Sequence, residues 1–158
     1  MSKKKSRTRS VPSMVYYIVQ ITEWDWSYSF SVNVPNWEDR RFSDYRHLLI
    51  RGKLLLPSKI KLKAEIAEMT FMPDVREADF EPRDRSPPRA VGHIDIHDGM
   101  FTGGFSMTAD ALGPVMQMLL AGRLKYAVLY GEPMRYRKAL IRSYELKSQL
   151  DPGEYPDG

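Results

Sequence analysis

Two of the chain's three histidines stand in one short run, His93-Ile94-Asp95-Ile96-His97, where polar and branched apolar side chains alternate. A period of two is the pattern of a β-strand, so His93, Asp95 and His97 share one face and the isoleucines the other. Imidazole and carboxylate are ligands for Zn, Fe or Mn, and a His-x-Asp pair joined by a second histidine is the donor set of a catalytic metal site. Strand geometry limits that set, because residues two apart are separated by roughly 7 Å and residues four apart by about 13 Å. His93 and Asp95, completed by His97 or by the distant His47, are therefore the metal-ligating candidates, and they would support oxygenase-like or hydrolytic chemistry. The competing expectation is a solvated strand face and no cofactor, since antiparallel sheets commonly leave one side in water.

Other catalytic templates are missing from the sequence. It has no Gly-rich Lys-Ser/Thr phosphate loop, no Gly-x-Ser-x-Gly elbow and no paired histidines at helical spacing. With no cysteine, disulfides, thiolate metal ligation and a cysteine nucleophile are excluded, and the fold rests on packing alone. Cysteine-free composition fits a reducing compartment, and a cytoplasmic location is expected. The apolar run at Met14 to Val19 stops at Gln20 with no small-residue cleavage site after it, so neither a signal peptide nor a membrane association is expected.

Binding has more candidate residues than catalysis. Trp24 and Trp26 bracket Asp25 at an expected hairpin tip, where large rings are hard to bury and readily anchor a partner. Arg135, Tyr136 and Arg137 bring bases and an aromatic ring together on the expected last strand. Lys3, Lys4, Lys5, Arg7 and Arg9 form a basic arm suited to weak, salt-dependent contact with a polyanion. The net charge of +4 belongs mostly to that arm. Taking its five bases and the three acids of residues 151 to 158 from the chain's 24 and 20 leaves 19 bases against 17 acids. A nearly neutral body argues against a concentrated nucleic-acid face and favours a protein partner.

These residues need elements to hold them, and the patterning predicts mostly strands. Tyr28, Phe30, Val32 and Val34 alternate with small polar residues, which reads as a half-buried strand paired in a hairpin with residues 14–22. Strands are expected at 45–56 and at 59–72, the latter with a change of phase between Ile66 and Ala67 that suggests a bulge or bend. Asp98-Gly99 favours a two-residue turn that places Ile96 opposite Phe101, Ile94 opposite Gly103 and Gly92 opposite Phe105. Thr108 or Asp110 is placed to cap a helix over about 109–121, whose Leu112, Val115, Met116, Leu119 and Leu120 recur at helical spacing until Gly122. A last hairpin joins 124–130 to 136–146.

The expected fold is mainly β, an antiparallel β-sandwich or partly open barrel of about eight strands with one α-helix. One domain over residues 13–148 lies between a flexible basic arm at 1–12 and a flexible acidic tail at 149–158. Residues 73–90 hold four prolines, four arginines and five acids, and read as a long exposed loop. The functional expectation is a small non-enzymatic interaction protein that docks on a macromolecular partner, a protein in preference to nucleic acid. The alternative is a metal-dependent enzyme built on the His93/Asp95/His97 face.

Overall fold

In the computed structural model, residues 13–32, 42–76, 88–151 and 153–157 are described. Their strands are β1 (Val15–Val32), β2 (Phe42–Leu56), β3 (Ile66–Val75), β4 (Gly92–His97), β5 (Met100–Thr108), β6 (Tyr126–Gly131) and β7 (Lys138–Lys147). One sheet in the order β1-β2-β3-β5-β4-β7-β6 closes on itself as a barrel, and every pairing is antiparallel except β3 with β5. Closure removes the long open edges that a mainly β chain otherwise presents. The interior is filled by alternate residues of each strand, among them Tyr17, Met69, Phe71, Phe101, Phe105 and Ile141, all fully buried. Phe71 and Phe105 stack at 5.0 Å between centroids, and the edge of Tyr144 meets both rings.

Where local chemistry fixes geometry, the expected register is the observed one. Asp98 and Gly99 both have positive φ, and Ile96, Ile94 and Gly92 pair with Phe101, Gly103 and Phe105. The two glycines make room for a large ring: a Cβ at Gly92 or Gly103 would collide with Phe105. A 3-10 turn at Ala109–Ala111 leads into α2 (Leu112–Leu120). That helix ends when Gly122, at φ 64°, donates to the Leu119 carbonyl while Arg123 donates to Met118, the paired bonds of a glycine-terminated helix. Neither Thr108 nor Asp110 supplies a side-chain cap to it.

Three expected elements differ. The chain does not turn at Glu23 to Trp26; Val15–Val32 is a single 18-residue strand, and residues 33 and 34 of the expected hairpin lie outside the described residues. The phase slip between Ile21 and Trp24 is taken up by a bulge at Thr22, opposite Gly52 and Arg51, so that Tyr17, Val19, Ile21, Trp24 and Trp26 all pack on the core side. The expected strand at 59–72 begins only at Ile66, because Ser58–Lys61 forms a one-turn helix, α1. The parity change at Ile66 marks the end of that helical connection. The barrel accordingly has seven strands.

The tail expected to be flexible is instead docked over its described part. Tyr155 is buried against Ile18 and Val128, its ring meets Tyr16 edge-on at 5.0 Å, and Lys147 Nζ donates to its hydroxyl at 2.7 Å. Asp157 accepts hydrogen bonds from the Ser58 hydroxyl and from its N–H, the latter at 2.9 Å, and these hold its carboxyl below the ordinary value of 3.8. Acidic composition hid one aromatic anchor and one helix-end acceptor. The basic arm and residues 77–87 of the long loop lie outside the described residues, while Pro73 to Val75 are the end of β3.

Candidate functional site

The histidine strand face points away from the barrel interior. Ile94 and Ile96 are buried, His93 and His97 are exposed, and Asp95 is half-buried. The Asp95 carboxylate lies 3.6 Å from Lys138 Nζ, and His97 Nε2 lies 3.1 Å from its neighbour Asp98. His93 spreads its imidazole over Gly104, which fills the space that the glycine leaves. His47 sits on β2, which β3 and β5 separate from β4, so three strand spacings of about 4.8 Å stand between it and the other donors. The four candidate ligands are thus not brought together. Among the described residues no group of three or more His, Asp or Glu side chains is arranged to hold a metal ion.

Trp24 and Trp26 are likewise not a turn tip. Both are half-buried in the middle of β1 and pack on the hydrophobic core. Arg135, Tyr136 and Arg137 precede β7 instead of belonging to it: Arg135 and Lys138 exchange backbone hydrogen bonds at 2.8 and 2.9 Å across Tyr136 and Arg137, which have φ of 50° and 67°. This is a two-residue turn in the left-handed region, built from two residues that favour it poorly. The Tyr136 ring is 99% exposed.

The surface that sequence reasoning missed is the far half of the β1–β2 hairpin. Strand β6 pairs with β1 only from Val15 to Gln20, and β3 pairs with β2 only from Leu48 to Lys53. Residues 27–32 and 42–47 therefore continue as a two-stranded ribbon that pairs with no further strand among the described residues, while Met72, Pro73 and Asp74 at the end of β3 and Arg76 line a pocket beside Asp44, Tyr45 and Arg46. On the face continuous with the barrel interior, Tyr28, Phe30, Val32 and Phe42 are 55–73% exposed. Phe30 and Phe42 stack with centroids 5.5 Å apart and planes 16° apart.

The ribbon's other face is built from Ser27, Ser29, Ser31 and Ser43 with Tyr45 and His47. The Ser31 and Ser43 hydroxyls are 2.9 Å apart, and the Tyr45 ring leans on His47 at 5.2 Å. His47 Nδ1 is buried with no hydrogen-bond partner among the described residues. Asp44 and Arg46, directly opposite Phe30 and Tyr28, stand on the first face instead and compensate each other at 3.1 Å. Alternation alone marked Tyr28, Phe30 and Val32 as one face and suggested burial. The missed signal was length, since 18 residues exceed the three to ten of an ordinary strand and outrun the neighbours available to cover it. No protein-family model matches the chain, and neither a curated protein nor a solved structure matches it.

Proposed function

We propose that the protein is a non-enzymatic interaction module that docks on a protein partner through the β1–β2 ribbon. One observation carries this reading: four large apolar side chains lie mostly in water on one face of a ribbon with which no further described strand pairs. A lone two-stranded hairpin is marginal in water, and contiguous exposed apolar surface marks an interaction site. The compensated Asp44–Arg46 pair leaves the ribbon without the excess positive charge that nucleic acid requires, which favours protein as the occupant. The strand edges of the ribbon, paired with no further strand among the described residues, add backbone donors and acceptors suited to pairing with a partner strand. The basic arm adds at most an auxiliary, salt-dependent contact to this scheme.

The test is site-specific photo-cross-linking of the full chain in cells, with a photoreactive phenylalanine at position 30 and a control at position 62, since Leu62 is 88% exposed at the other end of the barrel. Position 30 is expected to give a discrete, nuclease-resistant protein adduct that position 62 lacks. Tyr28→Ser with Val32→Ser should abolish it, and removal of residues 2–10 should leave it. Adducts shared with position 62, adducts sensitive to nuclease, chain-to-chain adducts alone, or loss of the adduct on removing the arm would each overturn the reading.

A further inference from the structure

The two ends of the barrel are finished differently. At the ribbon end, Ala111, Leu112, Val115 and Met116 of the segment between β5 and β6 pack against the core. At the other end, a cavity of about 880 Å³ opens between α1, the Asp98-Gly99 turn and the Tyr136-Arg137 turn. Its floor is formed by Val15, Tyr17, Ile60, Ile96 and Met134. The one hydroxyl there, that of Tyr17, is already committed, donating to the Glu132 carbonyl at 2.7 Å, and burial pushes its phenol up to about 12. A ligand on this floor meets apolar groups and no free buried donor, so the part of it that enters must itself be apolar.

The rim has the opposite character. Lys59, Lys63 and Arg137 line it against a single acid, Asp98, which lies 3.1 Å from His97. Asp157 of the docked tail bears on Lys59, whereas Lys63 and Arg137 are in no ion pair among the described residues. Two cations are thereby left at the lip of an apolar cavity. Arg137 is held there by the left-handed turn, its carbonyl accepting from Ile96 N–H at 2.9 Å, and Tyr136 beside it keeps its whole ring in water. Non-glycine residues in that region are strained, and such strain clusters where the placement of a side chain serves a site. Barrel mouths with apolar walls and a few convergent polar groups, at volumes of about 300–1,000 Å³, are where small ligands bind.

We infer that this mouth binds a small amphipathic anion, its hydrocarbon body on the Tyr17–Ile96–Met134 floor and its carboxylate or phosphate head between Lys63 and Arg137. The site is separate from the ribbon, and its occupancy does not depend on the ribbon's partner. The full chain, labelled with ¹⁵N, is titrated with decanoate, with decyl phosphate and with decyltrimethylammonium, each below its micelle concentration. One or both anions are expected to saturate a single site about tenfold or more tighter than the cation, in line with a charge-assisted contact. The amide shifts should centre on Ile60, Ile96 and Met134, and whichever anion binds more tightly identifies the head group.

The double variant Lys63→Gln, Arg137→Gln should keep the melting temperature, both side chains being exposed, and lose the preference for the anion. Equal binding of cation and anion to the native chain, an anion preference that survives in the double variant, shifts centred on Tyr28 and Phe30, or no saturable binding would overturn the assignment.

Discussion

The β1–β2 hairpin passes through two environments, and its two halves obey the same sequence rule with opposite results. In the barrel half, Tyr17 and Val19 alternate with outward residues and are fully buried between β6 and β2. In the ribbon half, Tyr28, Phe30 and Val32 alternate in the same way and are 56–73% exposed. Alternation decides which side chains share a face. Cover for that face comes from strands elsewhere in the chain, here residues 126–131 and 66–71, and their pairing with the hairpin stops short of the ribbon.

The largest effect expected from this contrast is on stability. Ile50, fully buried and paired with Met69 across β2 and β3, should cost about 2–5 kcal/mol on replacement by alanine. Phe30→Ala removes a larger side chain and should cost about 1 kcal/mol or less, because most of that ring is already in water. Guanidinium unfolding of the two variants measures both, and similar losses would break the distinction between the halves. Gly52→Ala comes next, at about 1–3 kcal/mol. A Cβ there would meet the Gln20 carbonyl oxygen and sit 2.8 Å from Val19 Cγ1, so the strands must part where the bulge turns β1 onto its second phase. A Gly52→Ala chain as stable as the parent would mean that the bulge is soft and does not fix the ribbon's facing.

Legibility follows the same division between local and distant causes. The Asp98-Gly99 turn, the register of β4 on β5, the helix ending at Gly122 and the β6–β7 hairpin were all readable, because each is set by a few adjacent residues. The Thr22 bulge was misread as a turn, since a one-residue phase slip looks the same in sequence whether the chain reverses or continues. The exposure of Tyr28, Phe30 and Val32 was unreadable from alternation, because it depends on where β3 and β6 part from the hairpin. The barrel mouth gathers residues from four separate segments of the chain. Of these, Tyr136 and Arg137 stand out in the sequence for their composition, and Ile96, Asp98 and Gly99 for the turn they set, but nothing local shows that the segments meet.

Alkaline titration sharpens the contrast on the barrel side. Burial pushes the phenols of Tyr17 and Tyr144 up to about 12, with Asp74 adding to the shift at Tyr144. Both hydroxyls donate to backbone carbonyls, of Glu132 at 2.7 Å and Ser106 at 2.9 Å. In the unfolded chain these phenols ionise near 10, so the stability they contribute is fully present below pH 10 and is lost as pH rises towards 12. The unfolding free energy should fall across that window, and Tyr17→Phe together with Tyr144→Phe should flatten the fall. An unchanged alkaline limb in the double variant would show that the barrel interior does not shield these hydroxyls.

The smallest effect is also the one that best separates fold from function. Phe30 and Phe42 stack at 5.5 Å, and an aromatic pair contributes about 0.5–1.5 kcal/mol, at the low end where both rings are mostly in water. Phe30→Ser should therefore lower stability by about 1 kcal/mol at most, leaving the barrel melting as before and the ribbon amides exchanging faster. If the ring is on the surface for a partner, that modest change in the free protein will accompany strong loss of the adduct formed by a photoreactive phenylalanine placed at position 42, the exposed stacking partner of Phe30, because a buried aromatic anchor at an interface costs about 2 kcal/mol or more when truncated. A Phe30→Ser chain that loses several kcal/mol would place the ring in the folding core despite its exposure. The apolar face would then be part of the fold's own stability, and the two halves of the hairpin would differ in accessibility but not in role.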